Sequence, residues 1–120
     1  MRAIAIALTL TGIMFAAASP AAAASFDGAW SVLIVTEKGD CDRAYRYEVS
    51  VSDGQVRYRG SGSVKVSGTV SPQGAVRVRI MVGENAAQAN GRLTGNGGAG
   101  TWQGAGIDDV CTGRWEAEKK

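Results

Sequence analysis

Apolar and polar residues alternate along most of the chain beyond residue 28. In residues 45–51, 64–70 and 76–82, nearly every second residue is a valine, an isoleucine or a tyrosine. Successive side chains of a β-strand point to opposite faces, so this period of two predicts half-buried strands and not helices. Eight strands are predicted, at residues 29–37, 45–51, 56–59, 64–70, 76–82, 87–94, 99–104 and 111–118.

Short turn sequences separate the predicted strands. Asp53-Gly54 and Asn96-Gly97 are of the kind that tight hairpins require, because these residues tolerate the backbone dihedrals of the turn. We therefore predict an all-β fold, a single up-and-down antiparallel meander. Closing the meander into a small barrel leaves no exposed strand edge, which favours a barrel. A two-sheet β-sandwich is the alternative.

The alternation also predicts which residues face the inside of such a barrel. Glycines share the inward face, where they let the wall curve and leave room for bulky neighbours. A barrel of eight strands is either filled by its side chains or holds one small ligand, and we expect a filled interior here. The glycines on this face are Gly60, Gly62, Gly68, Gly91, Gly100 and Gly113. The candidate ligand-lining residues are Trp30, Tyr45, Tyr47, Tyr58, Trp102 and Trp115.

The first 24 residues are typical of a secretory signal peptide. Arg2 precedes an apolar run that ends near Ala18, and Ala22-x-Ala24 provides a cleavage site. The apolar run is shorter than the roughly 20 residues of a comfortable membrane span. We predict a signal peptide at residues 1–24, a β-barrel domain at residues 25–120, no transmembrane span, and a periplasmic or secreted location after cleavage near Ala24.

Export changes the interpretation of the two cysteines. In an oxidising compartment Cys41 and Cys111 are most simply one disulfide. Both are predicted at the same end of the meander, Cys41 after the first strand and Cys111 at the start of the last. A bridge there ties the first strand to the eighth, which supports closure of the barrel. Closing a loop of about 70 residues stabilises a fold by roughly 4 kcal/mol in the chain-entropy model.

The residues present exclude most enzyme chemistries. The chain has no histidine and 2 cysteines, so it has no ligand set for a zinc site and no Ser-His or Cys-His couple. Its acids lie in loops and on outward strand positions. We expect a non-catalytic protein without a cofactor. A formal net charge of +2 also argues against a nucleic-acid partner.

Three surface features are candidates for function, each with a plainer alternative. Five cations on adjoining outward strand positions form a candidate patch for an anion or an acidic partner, or else a solvated face. They are Arg57, Arg59, Lys65, Arg77 and Arg79. Acids in the loops near the disulfide form a weak calcium candidate without the spacing of an EF-hand, or else are solvated loop residues. They are Asp40, Asp42, Asp108 and Asp109. Leu33 and Val35 point outward and are candidates for a homodimer contact.

The segment Gly28-Ala29-Trp30 opens the first of the eight strands and resembles the Gly-x-Trp signature of the calycin superfamily. That superfamily includes lipocalins, avidins and small bacterial metalloprotease inhibitors. The resemblance implies an eight-stranded barrel in which a basic side chain late in the last strand, Arg114 or Lys119, lies against Trp30. The chain lacks the long lid loop and C-terminal helix of a lipocalin. Only residues 25–27 precede the barrel, where the inhibitors carry a longer arm.

Two further segments, at residues 101–104 and 112–115, have an avidin-like appearance without a full set of biotin-contacting residues. The chain also resembles small exported proteins of proteobacteria. We expect an exported, non-catalytic binding module, interaction module or inhibitor that acts through barrel-end loops or the basic strand face. Its partner would be a protein or an anion of the cell envelope. The alternative is a carrier that binds a small apolar or aromatic molecule inside the barrel.

Overall fold

The computed structural model describes residues 25–106 and 110–120, together with Gly12. Over these ranges the chain forms eight β-strands and no helix. Every predicted strand is confirmed, with ends that differ by at most two residues. Apart from Gly12, the segment assigned to the signal peptide lies outside the described residues. The strands are β1 (Gly28–Lys38), β2 (Ala44–Ser52), β3 (Gln55–Tyr58), β4 (Val64–Val70), β5 (Ala75–Val82), β6 (Asn85–Thr94), β7 (Gly97–Ala105) and β8 (Val110–Lys119).

The strands form a closed antiparallel barrel in which each pairs with the next along the chain. Closure is made by β1 and β8, whose ladder runs from the pair Trp30 and Lys119 to the pair Lys38 and Thr112. A register shift between Thr36 and Lys38 interrupts this ladder near its end. The prediction of a closed meander is confirmed, and the alternative of a two-sheet sandwich is excluded.

The two ends of the barrel differ in their connections. We call the end with the turns 52–55, 70–75 and 94–97 the turn end. The opposite end, with the segments 38–44, 58–64 and 82–85 and with the end of β7 and the start of β8, is the loop end. At the turn end, Asp53 and Gly54 both have positive φ, of 51° and 75°. This is the combination that a two-residue hairpin turn of type I′ needs.

The side chain of Phe26 plugs the interior of the barrel at the turn end. This side chain is buried, and the carbonyl oxygen of Phe26 accepts a hydrogen bond of 2.8 Å from the indole Nε1–H of Trp30. A Cβ atom at Gly74 would lie 3.2 Å from the ring of Phe26, so the turn at residues 71–74 packs directly against this plug. The residue preceding the first strand is therefore part of the core, which the alternation pattern did not indicate.

Two tryptophans each lie over a glycine of the neighbouring strand. Gly113 is the ladder partner of Trp102, and Gly100 is the ladder partner of Trp115. A Cβ atom at Gly113 would be 2.8 Å from Nε1 of Trp102, and one at Gly100 would be 2.6 Å from Nε1 of Trp115. Both approaches are too short for a methyl group. The expectation that inward glycines make room for facing aromatic rings is met at these two positions.

The loop end is cross-linked by the disulfide between Cys41 and Cys111, whose Cα atoms are 6.2 Å apart. Cys111 is fully buried. Thr36 holds the segment that carries Cys41, because its Oγ1–H donates to the carbonyl oxygen of Asp42 at 2.6 Å and its N–H donates to that of Arg43 at 2.9 Å. The predicted disulfide thus joins the connection after β1 to β8.

Candidate functional site

The interior of the barrel is filled near the turn end and hollow near the loop end. The filled part leaves a space of only about 60 Å³, bordered by apolar and aromatic side chains that include Trp30, Leu93 and Trp115. The hollow part is a cavity of about 530 Å³. We call it the loop-end cavity. The expectation of a filled interior is therefore met in one half of the barrel and is wrong in the other.

Small residues on one wall are the reason for the cavity. Ala87 of β6 and Gly104 of β7 are ladder partners, and both line the cavity. Ile80 is the partner of Ala87 on the other side. Nearer the turn end, β6 places Leu93 inward, and the ring of Trp115 covers Gly91 of β6 and Gly100 of β7. Since an interior is packed only where side chains reach its axis, the change from large to small residues leaves the loop end empty.

Aromatic rings form the opposite wall and the floor of the loop-end cavity. The rings of Tyr45 and Tyr47 are stacked with their centroids 6.2 Å apart, and Tyr58 meets Tyr47 edge-on at 6.1 Å. Trp102 is 8% exposed and donates its Nε1–H to the carbonyl oxygen of Val35 at 3.0 Å. The indole therefore has a satisfied polar edge and leaves apolar surface for a ligand.

The environment of Tyr47 is unfavourable to negative charge. Burial raises the pKa of its phenol above the ordinary value, and the neighbouring phenols of Tyr45 and Tyr58 raise it further. Each of these effects destabilises the ionised form of the phenol relative to the neutral form. An anionic group placed beside Tyr47 would meet the same desolvation.

Polar groups lie at the mouth of the cavity. Asp40 and Asn85 belong to two different loop-end connections, both are exposed, and both line the cavity, so the cavity reaches solvent between them. Tyr45 is fixed at this level because its hydroxyl oxygen accepts a hydrogen bond of 3.2 Å from the N–H of Asp42. The disulfide partner Cys41 also lines the mouth. The cross-link thus holds part of the rim in place.

The structure distributes the six candidate lining residues over two levels. Tyr45, Tyr47 and Trp102 line the loop-end cavity. Trp30 and Trp115 border the small space in the filled half, which Tyr47 also reaches, and Tyr58 packs behind Tyr47. The alternation did not single out the small lining residues, among them Ala86, Ala87, Gly104, Ala105 and Gly106. The sequence feature that could have indicated them is the run of alanine and glycine on two adjacent predicted strands.

The five predicted patch cations are all exposed on or beside β3, β4 and β5. Of the candidate calcium ligands, Asp40 lies at the cavity mouth and Asp42 is exposed, whereas Asp108 and Asp109 lie outside the described residues. In the part of the chain that is described, no group of three or more His, Cys, Asp or Glu side chains is placed to hold a metal ion.

Leu33 and Val35 are half-buried on the outer wall of β1. Their ladder partners on β8 are Glu116 and Arg114, so this surface is bordered by charge on at least one side. The homodimer contact stays a prediction. Within residues 25–106 and 110–120, no helix is long and apolar enough to cross a membrane.

The basic residue that the calycin resemblance places near Trp30 is Lys119. Lys119 is the ladder partner of Trp30, and its side chain lies along Gly28, where a Cβ atom would be 2.9 Å from Cε. Arg114 pairs instead with Val35, farther along β1, and forms an ion pair of 3.8 Å with Glu37. Of the two candidates, Lys119 is the one that pairs with Trp30, and a contact of its side chain with the indole stays a prediction.

Comparison with protein-family models, with curated proteins and with solved structures finds no match for this chain. The architecture is that of an eight-stranded antiparallel closed barrel, which is consistent with a calycin-like fold.

Proposed function

We propose that the protein is a non-catalytic binding protein that holds a small apolar molecule in its loop-end cavity. The observation that carries this proposal is the cavity of about 530 Å³ at one end of an otherwise filled barrel. Small-molecule sites in proteins typically measure about 300–1,000 Å³ and are lined by apolar and aromatic groups with a few polar ones. The loop-end cavity fits this description in size and in lining.

The lining favours a ligand with a flat or aromatic body and no negative charge. Tyr45, Tyr47 and Trp102 offer ring faces and edges for stacking. Among the described lining residues, Asp40 is the charged side chain, and none is a lysine or an arginine. A carboxylate or sulfonate on the ligand would have no cation to pair with and would be desolvated beside Tyr47. Polar but uncharged groups of the ligand would sit at the mouth, near Asn85.

We also infer that the protein is exported and acts in the periplasm or outside the cell. The apolar N-terminal segment and the alanine-rich cleavage site support this, as does the disulfide, which is typical of oxidising compartments. The placement of Lys119 beside Trp30 supports a relationship to the calycins. The likeness to small exported proteins of proteobacteria belongs to the same proposal.

A protein-interaction module or inhibitor that uses the loops or the basic strand face is the second candidate. It is favoured by the five exposed cations on one side of the barrel. We place it second because an interaction module has no need of a hollow interior, whereas a carrier requires one.

A fluorescent probe that becomes bright in apolar sites tests the proposal. N-phenyl-1-naphthylamine is a neutral aromatic molecule of suitable size, and we expect it to bind with quenching of tryptophan emission. Ala87→Phe places a ring in the cavity and should abolish binding. Ala99→Phe makes the same change on the outer wall, where Ala99 is exposed, and should leave binding unchanged. Circular dichroism checks that both variants fold, and Ala87→Leu is a smaller filling variant.

The charge preference is tested by an anionic relative of the probe. 8-anilinonaphthalene-1-sulfonate has the same ring system with a sulfonate added. We expect it to bind the cavity at least about tenfold more weakly, since its charge would be unpaired there. If neither probe binds the wild-type protein, or if the folded Ala87→Phe variant binds as well as the wild type, the loop-end cavity is not a ligand site.

A further inference from the structure

The outer wall of β3, β4 and β5 concentrates positive charge. We call the exposed residues Arg57, Arg59, Lys65, Arg77 and Arg79 the basic face. The ladders place them side by side, because Arg57 and Arg79 both pair with Ser67, one from each neighbouring strand. Strands lie about 4.8 Å apart, so the Cα atoms of Arg57 and Arg79 are separated by roughly 10 Å. Arg77 is two residues from Arg79 on the same side of β5.

Within residues 25–106 and 110–120, no carboxylate forms an ion pair with the basic face. Residues 55–94 contain six basic residues and a single acid, Glu84. Among the described residues the ion pairs lie elsewhere, between Arg114 and Glu37 at 3.8 Å and between Lys120 and Glu48 at 2.8 Å. Glu48 lies beside Arg59, whose N–H donates to its carbonyl oxygen, but the carboxylate of Glu48 forms its ion pair with Lys120.

The spacing of these cations makes the face self-repelling. Charges two residues apart on a strand are separated by about 7 Å, which is within the screening length of about 8 Å at physiological salt. Such an arrangement disfavours the folded state slightly unless an anion lies over it. Exposed polar side chains lie between or beside these cations, among them Ser67, Thr69, Gln88 and Asn90.

We propose that the basic face binds a linear acidic polysaccharide. Guanidinium groups form paired hydrogen bonds with carboxylates and sulfates, and the hydroxyl and amide groups between them match the hydroxyls of a sugar chain. A flexible chain can follow a convex wall on which the arginines diverge. This inference does not depend on the loop-end cavity, which lies inside the barrel.

Two other polyanions fit the basic face less well. Stable attachment to a bilayer takes an apolar insertion in addition to basic residues. Beside these cations, Met81 is the large apolar side chain that is exposed, at 41%. One such side chain provides little apolar surface for insertion into a bilayer. Single-stranded nucleic acid is held by stacking on aromatic rings, and the aromatic residue of β3, β4 and β5 is Tyr58, which packs against Tyr47.

Binding to heparin, a sulfated polysaccharide, tests the proposal. We expect the wild-type protein to bind heparin with an affinity that falls steeply as salt is added, and not to bind neutral dextran. Arg77→Gln combined with Arg79→Gln should weaken binding by about tenfold or more. The matched control is Lys38→Gln combined with Arg114→Gln, which removes the same charge from exposed positions on the opposite wall, at β1 and β8. It should change the affinity by less than about twofold.

Four outcomes would overturn the proposal. They are the absence of heparin binding by the wild type, equal losses in the two double variants, tighter binding to phosphatidylglycerol vesicles than to heparin, and tighter binding to a single-stranded DNA oligonucleotide. The Ala87→Phe variant should bind heparin like the wild type. The result of this experiment is therefore separable from that of the cavity test.

Discussion

The turn end and the loop end of the barrel are built from the same eight strands, yet only the turn end is filled. At the turn end, inward valines and Leu93 meet Trp115 and the plug formed by Phe26. At the loop end, Tyr45 and Tyr47 face Ala87 and Gly104 across an empty space. The period of two along the strands is the same in both halves. The difference teaches that alternation specifies the barrel, whereas the size of a few inward residues specifies what the barrel can hold.

The two ends also differ in what stabilises them. The turn end relies on packing, with Phe26, Trp30 and Leu93 all at most 8% exposed. The loop end cannot pack around an empty centre. It relies on the disulfide and on the two hydrogen bonds that Thr36 makes to the segment carrying Cys41. Substitutions at the two ends should therefore show whether the free energy of unfolding and the binding of a ligand can change independently.

Removing the disulfide should have the largest effect on stability. Cys41→Ser combined with Cys111→Ser releases a loop of 70 residues and should lower the free energy of unfolding by about 4 kcal/mol. Urea denaturation followed by circular dichroism measures the change. The wild-type protein under reducing conditions is the control and should match the double variant. A loss below about 1 kcal/mol would show that the loop end does not depend on the disulfide.

Removing the plug at the turn end should have the next largest effect. Phe26→Ala should lower the free energy of unfolding by about 3 kcal/mol, because the side chain is buried and a cavity would remain. Binding of N-phenyl-1-naphthylamine should persist wherever the variant is folded, since the ligand lies at the other end. Phe26→Leu is the control and should cost about 1 kcal/mol. Loss of probe binding by folded Phe26→Ala would mean that the two halves are not independent.

Adding a methyl group beneath Trp102 should have a smaller effect. The Cβ atom of Gly113→Ala would meet the carbonyl oxygen of Val35 and Nε1 of Trp102, the two atoms of the hydrogen bond that fixes the cavity floor. We expect a loss of about 2 kcal/mol and a shift in tryptophan emission. Gly97→Ala is the control, because its Cβ would lie at an ordinary 3.7 Å from the nearest atom. Equal changes in the two variants would contradict the role given to Gly113.

The ionisation of Tyr47 should produce the smallest effect. Its folded pKa is raised above the unfolded value of about 10, so the folded state holds this proton more tightly. The contribution to stability is complete below pH 10 and is lost as the pH rises through the folded pKa. Tyr47→Phe should remove that alkaline decline, which denaturation at a series of pH values would reveal. Titration of tyrosinate absorbance should show one phenol ionising late in the wild type, and its persistence in Tyr47→Phe would contradict the assignment.

The strands and the closure of the barrel were predictable because they depend on local patterns. Turns such as Asp53-Gly54 interrupt the alternation at regular intervals, and the positions of Cys41 and Cys111 indicate which strands meet. Phe26 was not predicted as a core residue, because it precedes the first alternating run. Its burial depends on the turn at residues 71–74, which is distant in sequence.

The loop-end cavity was not predictable because it depends on the cross-section of the barrel. The inward direction of Tyr45, Tyr47 and Trp102 follows from alternation, but the volume between them is set by Ala87 and Gly104 on strands that meet them only after closure. The basic face was predictable, since outward positions on adjacent hairpins are neighbours in any register that keeps the valines inside. The partner of Glu48 was not, because Lys120 reaches it only through the pairing of β1 with β8.

The pairing of β1 with β8 also brings the two ends of the barrel chain together. Lys120 donates its N–H to the carbonyl oxygen of Ala29 at 2.9 Å, on the side of the barrel away from the loop-end cavity. In a variant limited to residues 25–120, a short linker from Lys120 to Ser25 would therefore allow circular permutation, with new termini cut into one of the hairpin turns. For the same reason, a reporter protein fused at Lys120 would stand clear of the cavity mouth, which makes the barrel a convenient sensor scaffold.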